Sequence, residues 1–242
     1  MATTAVDPIT TEVIRNALNS AADDMNATLI RSAYTFLIYE LKDCSVALLD
    51  AEHRVLGQSS GLPIFLGNLE VCTRVTEEMY GRDGWHAGDV WIMNDSYLAG
   101  THLNDMSVYS PIFHEGALIG FGASRAHWLD VGAKDPGSPM DSTDIWQEGI
   151  RLAPLKVVEG GRVREDVVDL LGRNSRFSYP ARGDLAAQIA CARTGERRLQ
   201  AIVERFGLAT VEAARDAIFE QTERIERAAI AALPDGVYEA EG

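Results

Sequence analysis

The spacing of apolar residues changes twice along this chain, and that change restricts the fold more than any other feature. At the start, Ile9, Val13, Ala17, Leu18, Ala21, Met25, Leu29 and Ile30 recur at helical intervals. Asp7-Pro8 supplies a capping side chain followed by the residue best tolerated at a first helical position. A helix of about six turns, ending near Arg31, is expected. The middle of the chain then switches to short runs bounded by turn residues. CSVALLD (44–50) and VLGQ (55–58) flank Ala51-Glu52-His53-Arg54 as a hairpin. DVWIMN (89–94), MSVYSPIF (106–113) and ALIGFGASRAH (117–127) read as strands, with His114-Glu115-Gly116 turning the last pair. A short helix over Leu69–Tyr80 precedes them. Helical spacing returns with Leu185, Ile189, Leu199, Ile202, Val203 and Phe206, stopped by Gly207. Thr210 is placed to cap a last helix with Val211, Ala214, Ile218, Ile225 and Ala229 on one stripe, and Glu223 and Arg227 one turn apart. The class is α+β: a long N-terminal helix, a central mostly antiparallel sheet and a C-terminal helical segment.

Residues 1–180 are expected to form a metal-binding α+β domain, and 181–242 the start of a longer architecture. The final PDGVYEAEG reads as a turn and the first residues of an unpaired strand, an ending that looks cut. At 46% hydrophobic and 24% charged residues the chain has material for a good core. Its formal charge of −14 repels a phosphate backbone, and no basic stripe offsets it, so nucleic acid is not an expected partner. The start, MATTAVDPITTEV, lacks the features of a secretory signal, and no apolar run approaches the roughly 20 residues that span a bilayer. Cys44, Cys72 and Cys191 lack CxxC spacing and fit reduced, buried thiols, which with the missing signal places the chain in the cytoplasm.

The densest group of metal-ligand types is NDSYLAGTHLND (94–105) with SRAHWLD (124–130). His102 and Asp105 lie three residues apart at the entrance of one strand, and His127 ends the return strand of the same hairpin. Antiparallel pairing can set His127 opposite the His102–Asp105 loop. Two imidazoles and a carboxylate with open positions suit one divalent ion, and zinc, manganese and iron all accept this set. HxxD alone is a weak pattern that arises by chance in many soluble chains. His53 in a turn, His86 beside Trp85 and His114 at a hairpin tip read as surface residues. Neither GxxxxGK[ST] nor GxSxG occurs, so any nucleotide must be held by another chain. WLDVGAKDPGSPMDSTDIW (128–146) is a long Gly/Pro/Asp/Ser loop of a length more often functional than not.

Six blocks, in order from end to end, resemble the hydantoinase B/oxoprolinase family. They are DPITTEVIRNAL, KDCSVALLD, GLPIFLGNLE, GDVWIMNDSYLAGTHLNDMSVYSPIF, SRAHWLDVG with PGS after it, and RGDLAAQIACARTGERRL. This family holds the B-type subunits of N-methylhydantoinase, caprolactamase and the acetone and acetophenone carboxylases. The resemblance implies that His102, Asp105 and His127 hold the metal, and that Asp95 and Asp130 are catalytic-site carboxylates orienting the histidines. It also implies an A-type partner subunit that binds ATP, hence a hetero-oligomer, and a small cyclic amide or ketone as substrate.

The expected function is therefore that of a B-type subunit in ATP-dependent hydrolysis of hydantoin-, lactam- or oxoproline-type rings. One alternative is a subunit of a ketone carboxylase. A second is an inactive truncated fragment that only binds a partner. Family B-type subunits are about twice as long, and Phe65 stands where many have His, while Ala133 replaces the second Gly of the usual DxGG. Arg173, Arg176 and Arg182 could meet an anion, an interface or plain solvent, and GERRL (195–199) reads as a solvated helix face with Leu199 on the core side. Trp128 and Trp146 bracket the long loop as pocket walls or core.

Overall fold

In the computed structural model, which describes residues 6–240, the Asp7 carboxylate accepts hydrogen bonds from the N–H groups of Ile9 and Thr10, both at 3.0 Å. Two donors that a helix start leaves unpaired are thus satisfied, and α1 (Pro8–Ser32) begins there. Leu18, Ala21, Met25 and Leu29 are buried as expected, whereas Ile9 and Val13 are exposed. The chain continues through α2 (Phe36–Tyr39), β1 (Cys44–Asp50), β2 (Val55–Gln58), α3 (Pro63–Tyr80), β3 (Val90–Met93) and α4 (Ser96–Ala99). Then follow β4 (Asp105–His114), β5 (Ala117–His127), β6 (Leu155–Glu159), β7 (Arg162–Val163), α5 (Glu165–Arg173), α6 (Ser178–Phe206) and α7 (Leu208–Ala231).

The strands make one antiparallel sheet in the order β2-β1-β5-β4-β3-β6-β7. Successive side chains on a strand point to opposite faces, so the sheet carries two cores. Val46, Leu48, Ile92 and Val108 pack under α1, α5 and α6, while Ala47, Leu49, Trp91, Tyr109 and Phe121 pack against α3. Covered on both sides, β1 is buried at every position. The fold is α+β in three layers.

The elements depart from expectation in several places. α3 begins at Pro63, not near Leu69, with proline accepted in the first turn. β6, β7 and α5 were not anticipated, although Gly160-Gly161, both at positive φ, is a turn pair suited to the β6–β7 hairpin. Thr210 is not a cap: α7 starts at Leu208, directly after Gly207 at φ 81°. On α7 only Val211 and Ala214 are buried, and Ile225 faces solvent. Glu223 and Arg227 do pair, at 2.7 Å. Residues 234–240 form no strand, and 241–242 lie outside the described residues. The 180/181 boundary falls inside α6, whose Leu185 and Leu199 enter different clusters of the core. Among the described residues no helix is long and apolar enough to cross a membrane.

Candidate metal centre

The β4–β5 hairpin brings two of the expected ligands face to face. Glu115 and Gly116, at φ 49° and 83°, form its two-residue turn, a conformation that matches the twist of paired strands. Pairing then runs to the far end, through one irregularity at Ile112/Phe113, and sets Asp105 opposite His127. His127 Nδ1 donates to Asp105 Oδ1 at 2.7 Å. Asp105 Oδ2 accepts the His102 backbone N–H at 2.9 Å and lies 3.8 Å from His102 Nδ1. One carboxylate therefore fixes the ring of His127 and the loop of His102 together. Asp105 is 1% exposed, the His127 side chain 10% and the His102 side chain 62%, so the group is open on the His102 side.

One nitrogen or oxygen from each of the three residues lies within 4.8 Å of the others. An ion with bonds of about 2.0–2.2 Å to such donors would draw the three side chains closer together. Among the described residues Asp105 has no Lys or Arg within ion-pair distance, only the two imidazoles. A buried carboxylate without a fixed cation is costly, and a bound divalent ion would offset that cost. The donor set fits the metal.

Neighbouring polar side chains hold the three segments in register. Asn94 donates to the carbonyls of Leu103 (2.5 Å) and Ile150 (2.9 Å) and accepts from Leu152 N–H (2.7 Å). Asn104 donates to Trp128 O at 2.7 Å, tying the residue before Asp105 to the residue after His127. Gln188 of α6 reaches the same place, donating to Met106 O (2.9 Å) and accepting from Trp128 Nε1 (2.8 Å). Arg125, two residues before His127, donates to Ser107 Oγ (2.7 Å), Thr101 Oγ1 (3.0 Å), Ala99 O (2.9 Å) and Cys72 Sγ (3.3 Å).

The family model described as Hydantoinase B/oxoprolinase matches residues 7–242. The chain belongs to the hydantoinase B/oxoprolinase family. It is 34% identical over 234 residues to the caprolactamase subunit beta of Pseudomonas jessenii, covering 96% of this chain and 40% of the relative. The crystal structure of ATP-dependent caprolactamase from Pseudomonas jessenii superposes with a TM-score of 0.88 at 33% identity, over 96% of this chain and 40% of that one. A nucleotide-free acetone carboxylase structure matches in fold, with a TM-score of 0.79 at 23% identity, over 86% of this chain and 28% of that one. The chain thus spans about two fifths of the length of the caprolactamase subunit.

Not every residue of the family motifs lies where the resemblance suggested. Neither Asp95 nor Asp130 hydrogen-bonds a histidine of the centre. Asp95 caps α4 through Tyr97 N–H at 3.0 Å and lies 3.5 Å from Arg151 Nε. Asp130 accepts Gly132 N–H and the backbone and guanidinium donors of Arg176. The carboxylate that orients His127 is Asp105 itself. Arg176 is thereby taken up by Asp130, and Arg182 by Asp169.

Sequence reasoning missed Asp43. Cys44 pairs with Ala126, and His127 N–H donates to Asp43 O at 3.0 Å, so Asp43, His127 and Asp105 stand side by side at the ends of neighbouring strands. Burial pushes the Asp43 carboxyl up; the imidazoles of His127 and His102 pull it down and Asp105 adds to the rise. Its block, KDCSVALLD, was visible, but only the β1–β5 register shows what its first Asp adjoins.

His53 is another correction. The Asp50 carboxylate accepts two backbone N–H groups of the turn, at Glu52 and Arg54, and His53 adopts φ 66° with its ring buried and stacked on Phe121 at 5.1 Å. His86 is exposed as expected and His114 half-buried. All three cysteines are buried, and burial pushes the Cys44 thiol up to about 12. Trp128 is core, bonded to Gln188, whereas Trp146 is 74% exposed with the Arg151 guanidinium over its ring at 5.4 Å. Phe65 is buried on the first turn of α3.

Proposed function

We propose that this chain is the metal-holding part of a B-type subunit in an ATP-dependent hydrolase of cyclic amides. The observation that carries the reading is the pairing of Asp105 with His127 across β4 and β5, with His102 beside them, inside a family shared with caprolactamase. His102, Asp105 and His127 would hold one zinc, manganese or iron ion. Such an ion supplies Lewis-acid polarisation of an amide carbonyl. The chain's own residues set the conditions for that chemistry. The 2.7 Å contact between Asp105 Oδ1 and His127 Nδ1 holds the ring and the carboxylate together at the centre. The exposed side of His102 leaves room for substrate to approach. Asp43, its carboxyl pushed up by burial, stands beside the centre as a further carboxyl group that could meet the substrate.

With no phosphate-binding loop in the sequence, ATP belongs to an A-type partner subunit that activates the ring carbonyl. Cyclic-amide hydrolysis is preferred to ketone carboxylation because the caprolactamase likeness extends to 33% identity, while the acetone carboxylase likeness is one of fold. Protein purified without chelator should contain about one divalent ion per chain, since two imidazoles and one carboxylate serve a single ion. His102→Ala and His127→Ala should each lose it, as read by plasma emission spectrometry. Full occupancy in both variants would remove the metal reading. In the same preparations, ATP turnover by this chain without a partner would show the nucleotide site to be misplaced.

A further inference from the structure

The segment from Trp128 to Trp146 has little regular structure, yet it is fastened along its whole length. Gly137 N–H donates to Leu129 O, Lys134 N–H to Gln147 O and Ile150 N–H to Val131 O, each at 2.8 Å. Asp130, with its side chain buried, gathers Gly132 N–H at 3.1 Å, Arg176 N–H at 2.6 Å, Arg176 Nε at 3.0 Å and Arg176 Nη2 at 2.8 Å. The same guanidinium also donates to Ala133 O. At the loop's tip runs Pro136-Gly137-Ser138-Pro139, in which Gly137 has φ 84°, a conformation that residues with a Cβ adopt only under strain. The flanking prolines fix their own φ and leave the tip few alternatives.

All this restraint delivers one hydroxyl. Ser138 Oγ lies 3.4 Å from His102 Nδ1 and 3.4 Å from His127 Nε2. At that distance neither contact is a strong hydrogen bond, so hydrogen bonding does not account for the placement. Two imidazole nitrogens and a hydroxyl converge instead on one small volume, and Asp105 lies 3.8 Å from the same His102 nitrogen while contacting the His127 ring at its other nitrogen, Nδ1.

We propose that Ser138 Oγ is a further oxygen donor to the ion held by His102, Asp105 and His127, delivered by the tip of this loop. The proposal rests on the metal reading of the centre. A neutral hydroxyl adds a hard donor without adding charge, which suits manganese or zinc beside a carboxylate and two imidazoles. It also gives Asp130 a purpose: through Arg176 and Gly132 it positions the loop, and through the loop Ser138, without touching a histidine.

Cobalt(II) titration of the full chain tests this, because a thiolate bound to cobalt gives an intense near-ultraviolet charge-transfer absorption. Ser138→Cys, titrated with cobalt chloride, should develop that band and saturate at one equivalent. The wild-type protein, whose Cys44, Cys72 and Cys191 are all buried, should bind one equivalent without it. Ser138→Ala should bind cobalt at least about tenfold more weakly by calorimetry. If Ser138→Cys takes up one cobalt with no such band and Ser138→Ala binds as tightly as wild type, Ser138 is not a ligand. If the wild-type chain takes up no cobalt at all, the metal centre itself fails, and Ser138 with it.

Discussion

Arg125 heads the fully buried side chains by size, at 1% exposure, and among the described residues no carboxylate pairs with it. Burying a guanidinium is costly unless its donors are satisfied, and here Ser107, Thr101, Ala99 and Cys72 satisfy them. Ser107 is two residues after Asp105, and Thr101 immediately precedes His102. The side chain thus spans the segments that bear His102, Asp105 and His127, and on the proposed metal reading acts by positioning them. Arg125→Lys keeps the charge but not the forked donors. It should lower manganese affinity by about 10–100-fold, with one ion still bound at saturation. Isothermal titration with unchanged affinity would reduce Arg125 to a packing role. At this scale the sequence was partly legible. His102, Asp105 and His127 could be found because hairpin pairing brings nearby strand ends together. Asp43 could not, because its place beside them depends on β1 pairing with a strand dozens of positions away in the sequence. Arg125 left only a faint trace, a charged residue inside an apolar strand.

Helix α6 shows what can and cannot be read at the scale of elements. Its apolar stripe and its stop at Gly207 follow from spacing, but its partners do not. Asp184 accepts Tyr34 N–H at 2.7 Å and Thr35 Oγ1 at 2.7 Å, tying the helix to the segment after α1. Gly195, read from sequence as part of a solvated face, lies instead where α6 meets both α1 and β1. A Cβ there would stand 2.7 Å from Met25 Sδ and 3.1 Å from Leu48 Cδ2. The methionine end is flexible and can move, so Gly195→Ala should be close to neutral, helped by the better helix propensity of alanine. Gly195→Val, with two further carbons, should cost about 1–3 kcal/mol. Chemical denaturation of the pair measures it, and a valine variant as stable as the alanine variant would show that the junction is loosely packed. The missed elements, α2, α4, β6, β7 and α5, are short, and the early turns of α3 lack a side-chain cap. Short or uncapped segments give periodicity little to act on; their place comes from tertiary packing.

At the scale of the whole molecule, the formal charge of −14 bears on the proposed metal centre as well as on solubility. An acidic field concentrates cations at the protein surface, and the open side of His102 exposes the site to that field. Two carboxyl groups, Asp43 and Asp105, stand at the same end of the sheet, and Asp105 is within reach of no Lys or Arg among the described residues. Raising ionic strength from about 0.01 M to about 0.1 M shortens the screening length from about 30 Å to about 10 Å. The contribution of distant charges should then fade while the ligands themselves are unaffected. Manganese affinity should fall several-fold over this range, and its dependence on salt should be the same with tetramethylammonium chloride as with sodium chloride. The bulky cation cannot enter a site built for a small ion, so equal slopes assign the effect to screening. A fall seen only with sodium would mean competition at the site, and no fall at all would mean that the ligands alone, without the acidic surface, set the affinity.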